Sequence, residues 1–333
     1  CIEAVKLAKR HKLAQLSGFV NGVLRNIARN IDSVQFDTLS IRYSMPQWIV
    51  DRFVSAYGEK KAEEIFKAFH SKSTISIRTN LTRCTPDELR AMLEAEGVTV
   101  TAVDELNYAF VISGFDYLNG LQSFRDGLFY VQDISSMLVA QTAAPKKGDY
   151  VIDVCAAPGG KSTHIAELLQ GSGHVLARDL TDNKVDMIEE NIERHGLNNM
   201  SAEVWDATVF DADSAGKADI LICDLPCSGL GVLGRKKDIR YKMTPESVDE
   251  LAALQRQILD TVHTYVKPNG VLVYSTCTID EAENEDNVRW FIEKHPEFEL
   301  DKSFAEGTGM KQILPGEHGS DGFFIARFIK SKL

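Results

Sequence analysis

A mostly parallel, doubly wound α/β sheet with an antiparallel edge is the fold class this sequence predicts for its C-terminal half. A small α+β module and an all-helical N-terminal segment precede it. Three observations carry that reading. From residue 149 onward, short β-branched apolar runs alternate with stretches at helical spacing, the pattern of strands covered on both faces by crossover helices. From Ser73 the order is β-α-β-β with a further strand behind, as a ferredoxin-like or RRM-like module gives. Before residue 70 only helical spacing is found.

Residues 1–29 read as two helices, with Leu13, Leu16, Phe19, Val20, Val23, Leu24 and Ile27 on one stripe, for which core packing is the expected explanation. The pattern is already under way at Cys1, so 1–30 reads as the end of a helical domain. Asp32 to Ile41 is a polar connector. Met45–Tyr57 and Lys60–Phe69 are further helices, Pro46 sitting early in the first, so 31–70 is a helical connector. Thr74–Arg78 alternates as a strand, and Thr85-Pro86-Asp87-Glu88 opens a helix to Glu96 with Thr85 as its N-cap. Val98–Val103, Tyr108–Ile112 and Gly127–Val131 are strands. No aromatic RNP signature is present, so base stacking is not expected on this module. Asp133–Ala143 is a helix, and Pro145–Gly148 marks a boundary, giving a module at 71–144 and a last domain at 145–333. In that domain the strands are Tyr150–Val154, His174–Arg178, Ala202–Trp205, Asp219–Cys223 and Gly270–Ser275. The helices are Lys161–Leu169, Asp182–His195, Pro245–Val266 and Glu283–His295. Phe298–Leu300 and Gly322–Ile329 supply the antiparallel edge.

The 333 residues are 44% hydrophobic and 26% charged, ordinary composition for a chain of two or three domains. No apolar run approaches membrane-spanning length and no signal peptide is evident, so a cytoplasmic protein without a membrane partner, and a monomer, is expected. Six cysteines, several inside apolar strands, read as reduced thiols. The close pair Cys223 and Cys227 lacks a second pair, so no metal site is expected. A net charge of −11 opposes nonspecific nucleic-acid binding, yet the charge is unevenly placed. Lys6, Lys9, Arg10, Lys12, Arg25 and Arg29 face one acid, Glu3, in the first thirty residues. Arg235, Lys236, Lys237, Arg240 and Lys242 form a second basic cluster broken only by Asp238. Charge runs are usually solvated faces.

The chemistry is organised around Tyr150–His164, YVIDVCAAPGGKSTH. A strand, a glycine turn and a helix opening place backbone N–H groups and a helix dipole before a ligand. The phosphate-loop pattern fails because Cys155 stands where its first glycine belongs, and the dinucleotide G-x-G-x-x-G spacing is absent. Asp179, Asp206 and Asp224 fall at the ends of successive strands, where acids accept hydrogen bonds from a nucleoside. Cys227 follows the fourth strand and Cys277 the fifth, both at the ligand edge. A single cysteine is usually an inert packed thiol; two at this edge point to a nucleophile able to attack an aromatic ring.

DVCAAPGGKSTH, DLPCSG and STCT, in that order, resemble the Nop2/Sun family of RNA cytosine-5 methyltransferases. The upstream GLFYVQDISSMLVA and the terminal DGFFIARF fit as well, so the similarity covers about 71–330. FVNGVLRNIAR resembles the end of the NusB-like domain in the Sun/RsmB branch, which modifies small-subunit ribosomal RNA. The resemblance implies a Rossmann-like class I methyltransferase domain using S-adenosylmethionine, with ribosomal RNA as partner. Cys155, Ala156, Ala157, Pro158, Gly159, Gly160 and Lys161 would surround the methionine end of the cofactor, Asp179 its ribose and Asp206 its adenine side. Asp224 would lie between cofactor and cytosine, with Lys161 orienting the base. Cys277 would be the nucleophile, and Cys227 would assist product release. Arg235, Lys236, Lys237, Arg240 and Lys242, directly after the PC motif, are then placed to grip RNA phosphates, as are Arg25 and Arg29. A tRNA or another ribosomal RNA is the alternative substrate. DNA cytosine methyltransferases use the PC cysteine instead, so sequence logic alone leaves the two thiols open. A nicotinamide oxidoreductase is disfavoured by the missing fingerprint, and a non-catalytic RNA-binding scaffold by the intact reactive residues.

Overall fold

The computed structural model of the protein describes residues 1–71 and 74–332. Ser73, where the period was read to change, and Lys72 and Leu333, inside the expected domain limits, lie outside the described residues. Two compact units are present, Cys1–Val50 and the chain from Asp51 onward. In the first, α1 (Ile2–Arg10), α2 (Ser17–Asn30) and α3 (Leu39–Arg42) precede the start of α4 (Gln47–Tyr57). The stripe expected to be core is exposed. Phe19 is 70% exposed, and neither α1 nor α2 contains a buried residue.

The second unit continues with α5 (Glu59–His70), which buries Ala62, Ile65, Phe66 and Phe69. The module follows: β1 (Ile75–Thr79), α6 (Pro86–Ala95), β2 (Thr99–Val103), β3 (Leu106–Ser113), α7 (Gln122–Arg125) and β4 (Phe129–Val131). Its strands pair antiparallel in the order β2-β3-β1-β4, the ferredoxin-like arrangement. Thr85 caps α6 as read from the sequence, and Glu88 returns the bond to complete a capping box.

The helix expected to close this module, α8 (Ile134–Ala143), is shared. Ile134 and Met137 pack with Leu106 and Tyr108 of the module, while Val139, Ala140 and Ala143 join Val151 and Ile165 in the core of the C-terminal domain. A helix apolar on all sides must be buried on all sides, and α8 is packed against both the module and the larger sheet.

The C-terminal domain comprises β5 (Tyr150–Asp153), α9 (Gly160–Leu168), β6 (His174–Asp179), α10 (Asp182–His195), β7 (Met200–Val204), β8 (Ala218–Asp224), α11 (Ile239–Lys242), α12 (Pro245–Val262), β9 (Val266–Thr276), α13 (Glu285–Lys294), β10 (Phe298–Leu300), β11 (Met310–Ile313) and β12 (Phe323–Lys330). Its sheet runs β10-β12-β9-β8-β5-β6-β7, with β11 also on β12. β5 to β9 are parallel, and β12 is antiparallel to β9. The chain starts in the middle at β5 and winds out both ways, so the gap between β5 and β8 is a topological switch point. The helix expected to reach Val266 ends at Val262, because Val266 already belongs to β9. β11 escaped the sequence reading, since its four residues are too short to show a period.

Candidate active site

Parallel strands bring their carboxyl ends to one edge, and the strand order decides what lies next to what. Across that edge stand Asp206 after β7, Asp179 on β6, Cys155 after β5, Asp224 and Cys227 on and after β8, and Cys277 after β9. Asp206, Asp179 and Cys155 thus occupy one side of the switch point, and Asp224, Cys227 and Cys277 the other. With strands about 4.8 Å apart, the two halves lie within reach of one small ligand.

The glycine turn is held from below and from the side. Asp153 is buried, accepts a 2.5 Å bond from the Ser162 hydroxyl, and is pushed up to about 7 by burial. Asp179 clasps the turn: Oδ2 accepts from Ala157 N at 2.9 Å, and Oδ1 accepts from Leu180 N at 2.7 Å and Lys184 Nζ at 2.8 Å. Pro158 O accepts from Asn191 Nδ2 at 2.9 Å and from the Tyr130 hydroxyl at 3.2 Å. Gly159 has φ +102 and lies against Ile188, so a side chain there would strain the backbone where α9 begins. Burial, then the surrounding carboxylates, push the Cys155 thiol up, which leaves it neutral and unreactive. Asp206 is exposed and accepts from the backbone N–H and hydroxyl of Thr208.

Lys161, the second residue of α9, reaches across the switch point to Asp224 at 2.7 Å. Burial opposes its charge, but Asp224 outweighs burial and keeps the ammonium above its ordinary value. The other Asp224 oxygen accepts from the Ser275 hydroxyl at 2.8 Å. Beside this pair, Cys227 Sγ and Cys277 Sγ lie 3.3 Å apart. The two thiols are unequal. A bond donated by Cys227 lowers Cys277 despite its burial, with Lys161 and Lys236 adding to the effect; Cys227 is raised by the same bond and by burial. Cys277 is therefore the more readily ionised thiol of the pair. Cys227→Ala removes that donor and leaves burial in force, so the Cys277 pKa rises. Alkylation of Cys277 by iodoacetamide, followed by mass spectrometry across neutral to alkaline pH, should shift to higher pH. An unchanged profile would refute the hydrogen bond.

A family model described as 16S rRNA methyltransferase RsmB/F matches residues 140–329. The chain belongs to this family. The ferredoxin-like domain of RsmF/B-like methyltransferases matches 45–115, and the NusB family matches 1–29. A Bacillus subtilis relative described as "Probable ribosomal RNA small subunit methyltransferase B" is 38% identical over 98% of this chain and 77% of its own. The ribosomal RNA small subunit methyltransferase B of Salmonella typhi is 33% identical over 98% of this chain and 76% of its own. Among solved structures, NSun6 from Pyrococcus horikoshii with SFG aligns at TM-score 0.78 and 25% identity, over 86% of this chain and 99% of that one. A methyltransferase homologue from Pyrococcus horikoshii aligns at 0.76 and 26%, over 87% and 97%.

In this RsmB/F chain the two cysteine loops are fixed to each other by residues that the sequence reading missed. Ser228 Oγ lies 2.9 Å from Thr278 Oγ1, joining the residues that follow the two cysteines. Ser228 also gives its N–H, at 2.9 Å, and its hydroxyl, at 2.5 Å, to the buried Glu283, which takes a further 2.9 Å bond from Gln255 Nε2. Gly231 N donates to Cys277 O at 3.1 Å, and a Cβ on Gly231 would come within 2.8 Å of that oxygen. Ser228 and Thr278 had a signal in their adjacency to the cysteines. Glu283 had none, because only the fold brings it to residue 228.

The basic cluster after the PC motif divides. Arg235 is paired with Asp133 at 3.0 Å and Asp321 at 2.6 Å, and donates to Thr74 O at 3.0 Å. Arg240 is 5% exposed and donates to Leu233 O at 3.2 Å. Arg235 thus remains exposed while its guanidinium is held by two carboxylates from other segments, and Arg240 is buried within the loop. Lys236 and Lys237 are exposed, as is Lys242, which pairs with Asp238 at 2.7 Å. Arg25 and Arg29 are exposed on α2 in the N-terminal unit.

Proposed function

We propose that this RNA methyltransferase moves a methyl group from S-adenosylmethionine to carbon-5 of a cytosine in 16S ribosomal RNA, through a covalent Cys277–carbon-6 adduct. The observation that carries the proposal is the unequal pair of thiols at 3.3 Å beside Lys161 and Asp224, at the edge that also holds the nucleoside-type acids. The residues fit that cofactor: the turn at 155–160 opens a helix N-terminus for a carboxylate, Asp179 suits ribose hydroxyls, and Asp206 with the exposed Leu180 suits an adenine. SFG, present in the NSun6 structure, is an analogue of S-adenosylmethionine. When bound, the cofactor supplies an electrophilic sulfonium methyl group.

Cytosine carbon-5 is too weak a nucleophile to take a methyl group unaided. The Cys277 thiolate adds to carbon-6, forming the S–C bond and making the ring enamine-like. Lys161 and Asp224 protonate or hydrogen-bond ring N3, absorbing the charge that develops there. Carbon-5 then takes the methyl group as the S–CH₃ bond breaks, its proton is lost to a base, and the carbon-5–carbon-6 double bond reforms as the thiolate leaves. Cys227 stabilises that leaving thiolate with the bond it already donates, since a thiol of lower pKa departs faster. The base must be splayed from its stack to reach this edge, and Lys236 and Lys237 are placed to hold the neighbouring phosphates.

The test is methyl transfer from labelled cofactor to 16S ribosomal RNA, assembled small subunits, large-subunit RNA and tRNA, followed by mapping of the modified base. Label at a cytosine carbon-5 of 16S RNA is the expected result. Label confined to tRNA would overturn the substrate, and RNA binding without transfer would leave the scaffold reading in its place. Lys236→Ala with Lys237→Ala should weaken RNA binding across sequences and reduce the slope of log K against log salt by about 2. An unchanged slope, measured by filter binding, would remove them from the RNA surface.

A further inference from the structure

Away from the thiols, a second cluster of ligating side chains gathers where α12 and α13 end. Asp260 lies in the last turn of α12, His263 just beyond it, His295 at the end of α13 and Glu297 just before β10. One ligand atom each from Asp260, His263 and His295 lies within 4.8 Å of the others. We infer that Asp260, His263 and His295 bind a zinc-class divalent cation, with Glu297 orienting both imidazoles from behind.

The nitrogens divide in a way that fits a bound ion. His295 Nε2 is buried on a side chain only 8% exposed and makes no hydrogen bond, and His263 Nδ1, buried near the Asp260 and Leu259 backbone, makes none of good geometry. His295 Nε2 is 3.2 Å from Asp260 Oδ1, close but not aligned as a hydrogen bond. In a tetrahedral zinc site with bonds of about 2.0–2.1 Å, neighbouring donors stand about 3.3 Å apart, so the spacing suits a shared cation. The outer nitrogens, His263 Nε2 and His295 Nδ1, face Glu297 Oε1 at 3.6 and 3.9 Å. A carboxylate behind a ligating histidine fixes the tautomer and the ring's direction, the usual role of an outer partner. The rings are packed together, centroids 3.9 Å apart, so little motion is needed to close on an ion. Two imidazoles and a carboxylate form a borderline donor set that zinc prefers to magnesium or calcium.

Two ammonium groups oppose the cation, Lys330 near His263 and, closer, Lys294. Lys294 Nζ lies 2.9 Å from the same Asp260 oxygen. It is half exposed and has an alternative seat over the Trp290 ring, 5.2 Å away, so a dication can displace it. The bound ion would tie the end of α12 to the end of α13, outside the reaction.

The test uses the full chain with its thiols alkylated, so that Cys227 and Cys277 cannot ligate, stripped of metal and titrated with Zn²⁺ alone by calorimetry. Co²⁺ absorption then reports the geometry. One equivalent per chain is expected, with a rise in melting temperature on adding Zn²⁺. His263→Ala and His295→Ala should each weaken binding by more than about tenfold, and Glu297→Gln by about tenfold. Lys294→Ala, which removes no ligand and leaves the packing intact, should tighten it severalfold. No saturable binding, retention of full affinity in either histidine variant, or an unchanged affinity in Lys294→Ala would each overturn the site.

Discussion

Cys277→Ala should lower methyl transfer by at least about 10³-fold, the scale on which loss of a nucleophile acts, while leaving cofactor affinity unchanged. The reason lies in the strand order. Cys277 follows β9, on the other side of the switch point from the turn after β5 and from Asp179 and Asp206, so losing its thiol leaves the proposed cofactor side intact. Cys227→Ala has a different outcome. The adduct still forms, but the leaving thiolate has lost its hydrogen-bond donor, so a covalent RNA–protein species should accumulate and run as a retarded band on a denaturing gel. Cys277→Ala cannot form that band. Full methyl transfer by Cys277→Ser, or trapping by Cys277→Ala, would exchange the roles of the two thiols.

Arg78→Met should destabilise the protein by about 3–5 kcal/mol, because removing one partner of a buried ion pair strands the other. Arg78 is fully buried on β1 of the ferredoxin-like module and pairs with Glu167 on α9 of the catalytic domain, itself 3% exposed. Its guanidinium also donates to Gln132 Oε1 at 2.9 Å and Thr163 Oγ1 at 3.1 Å. Burial pushes Glu167 up to about 7 even with Arg78 beside it. That folded value lies above the 4.5 of the free group, so the stability linked to the Glu167 proton is full below 4.5 and lost as pH rises through 7. Without Arg78 the carboxylate is harder still to ionise. The penalty measured by urea unfolding should therefore be smaller near about pH 5, where Glu167 is buried neutral with or without Arg78, and grow as pH rises above 7 toward about pH 9, where only Arg78 lets it ionise. Arg78→Met combined with Glu167→Leu should recover most of the loss, since an apolar pair needs no compensation. Equal penalties at both pH values would show that the pair's charge is not what holds the module in place.

The order of strands and helices was legible because each depends on neighbours a few residues away. The N-cap of Thr85, the β-branched run at Val151–Val154 and the helical spacing of α10 are local facts. The functional edge was legible for the same reason, one level up. In a parallel sheet every strand delivers its following loop to the same side, so Asp179, Asp224, Cys227 and Cys277 could be placed together from chain order alone. The short elements α7, α11 and β11 left no readable period.

By itself, then, the sequence determined the fold class, the cofactor turn and the acids and thiols at one edge, since periodicity and strand-end position decide all of these. Only the tertiary structure made the two thiols unequal, because that depends on a 3.3 Å contact between residues fifty positions apart. It alone separated the buried Arg240 from the exposed Arg235, Lys236 and Lys237, and paired Arg235 with Asp133 and Asp321. It alone joined Glu283 to Ser228, Arg78 to Glu167, and His263 to His295. In each case a buried charge or donor must find a partner, and the partner is supplied by packing across the fold rather than by neighbours in the chain.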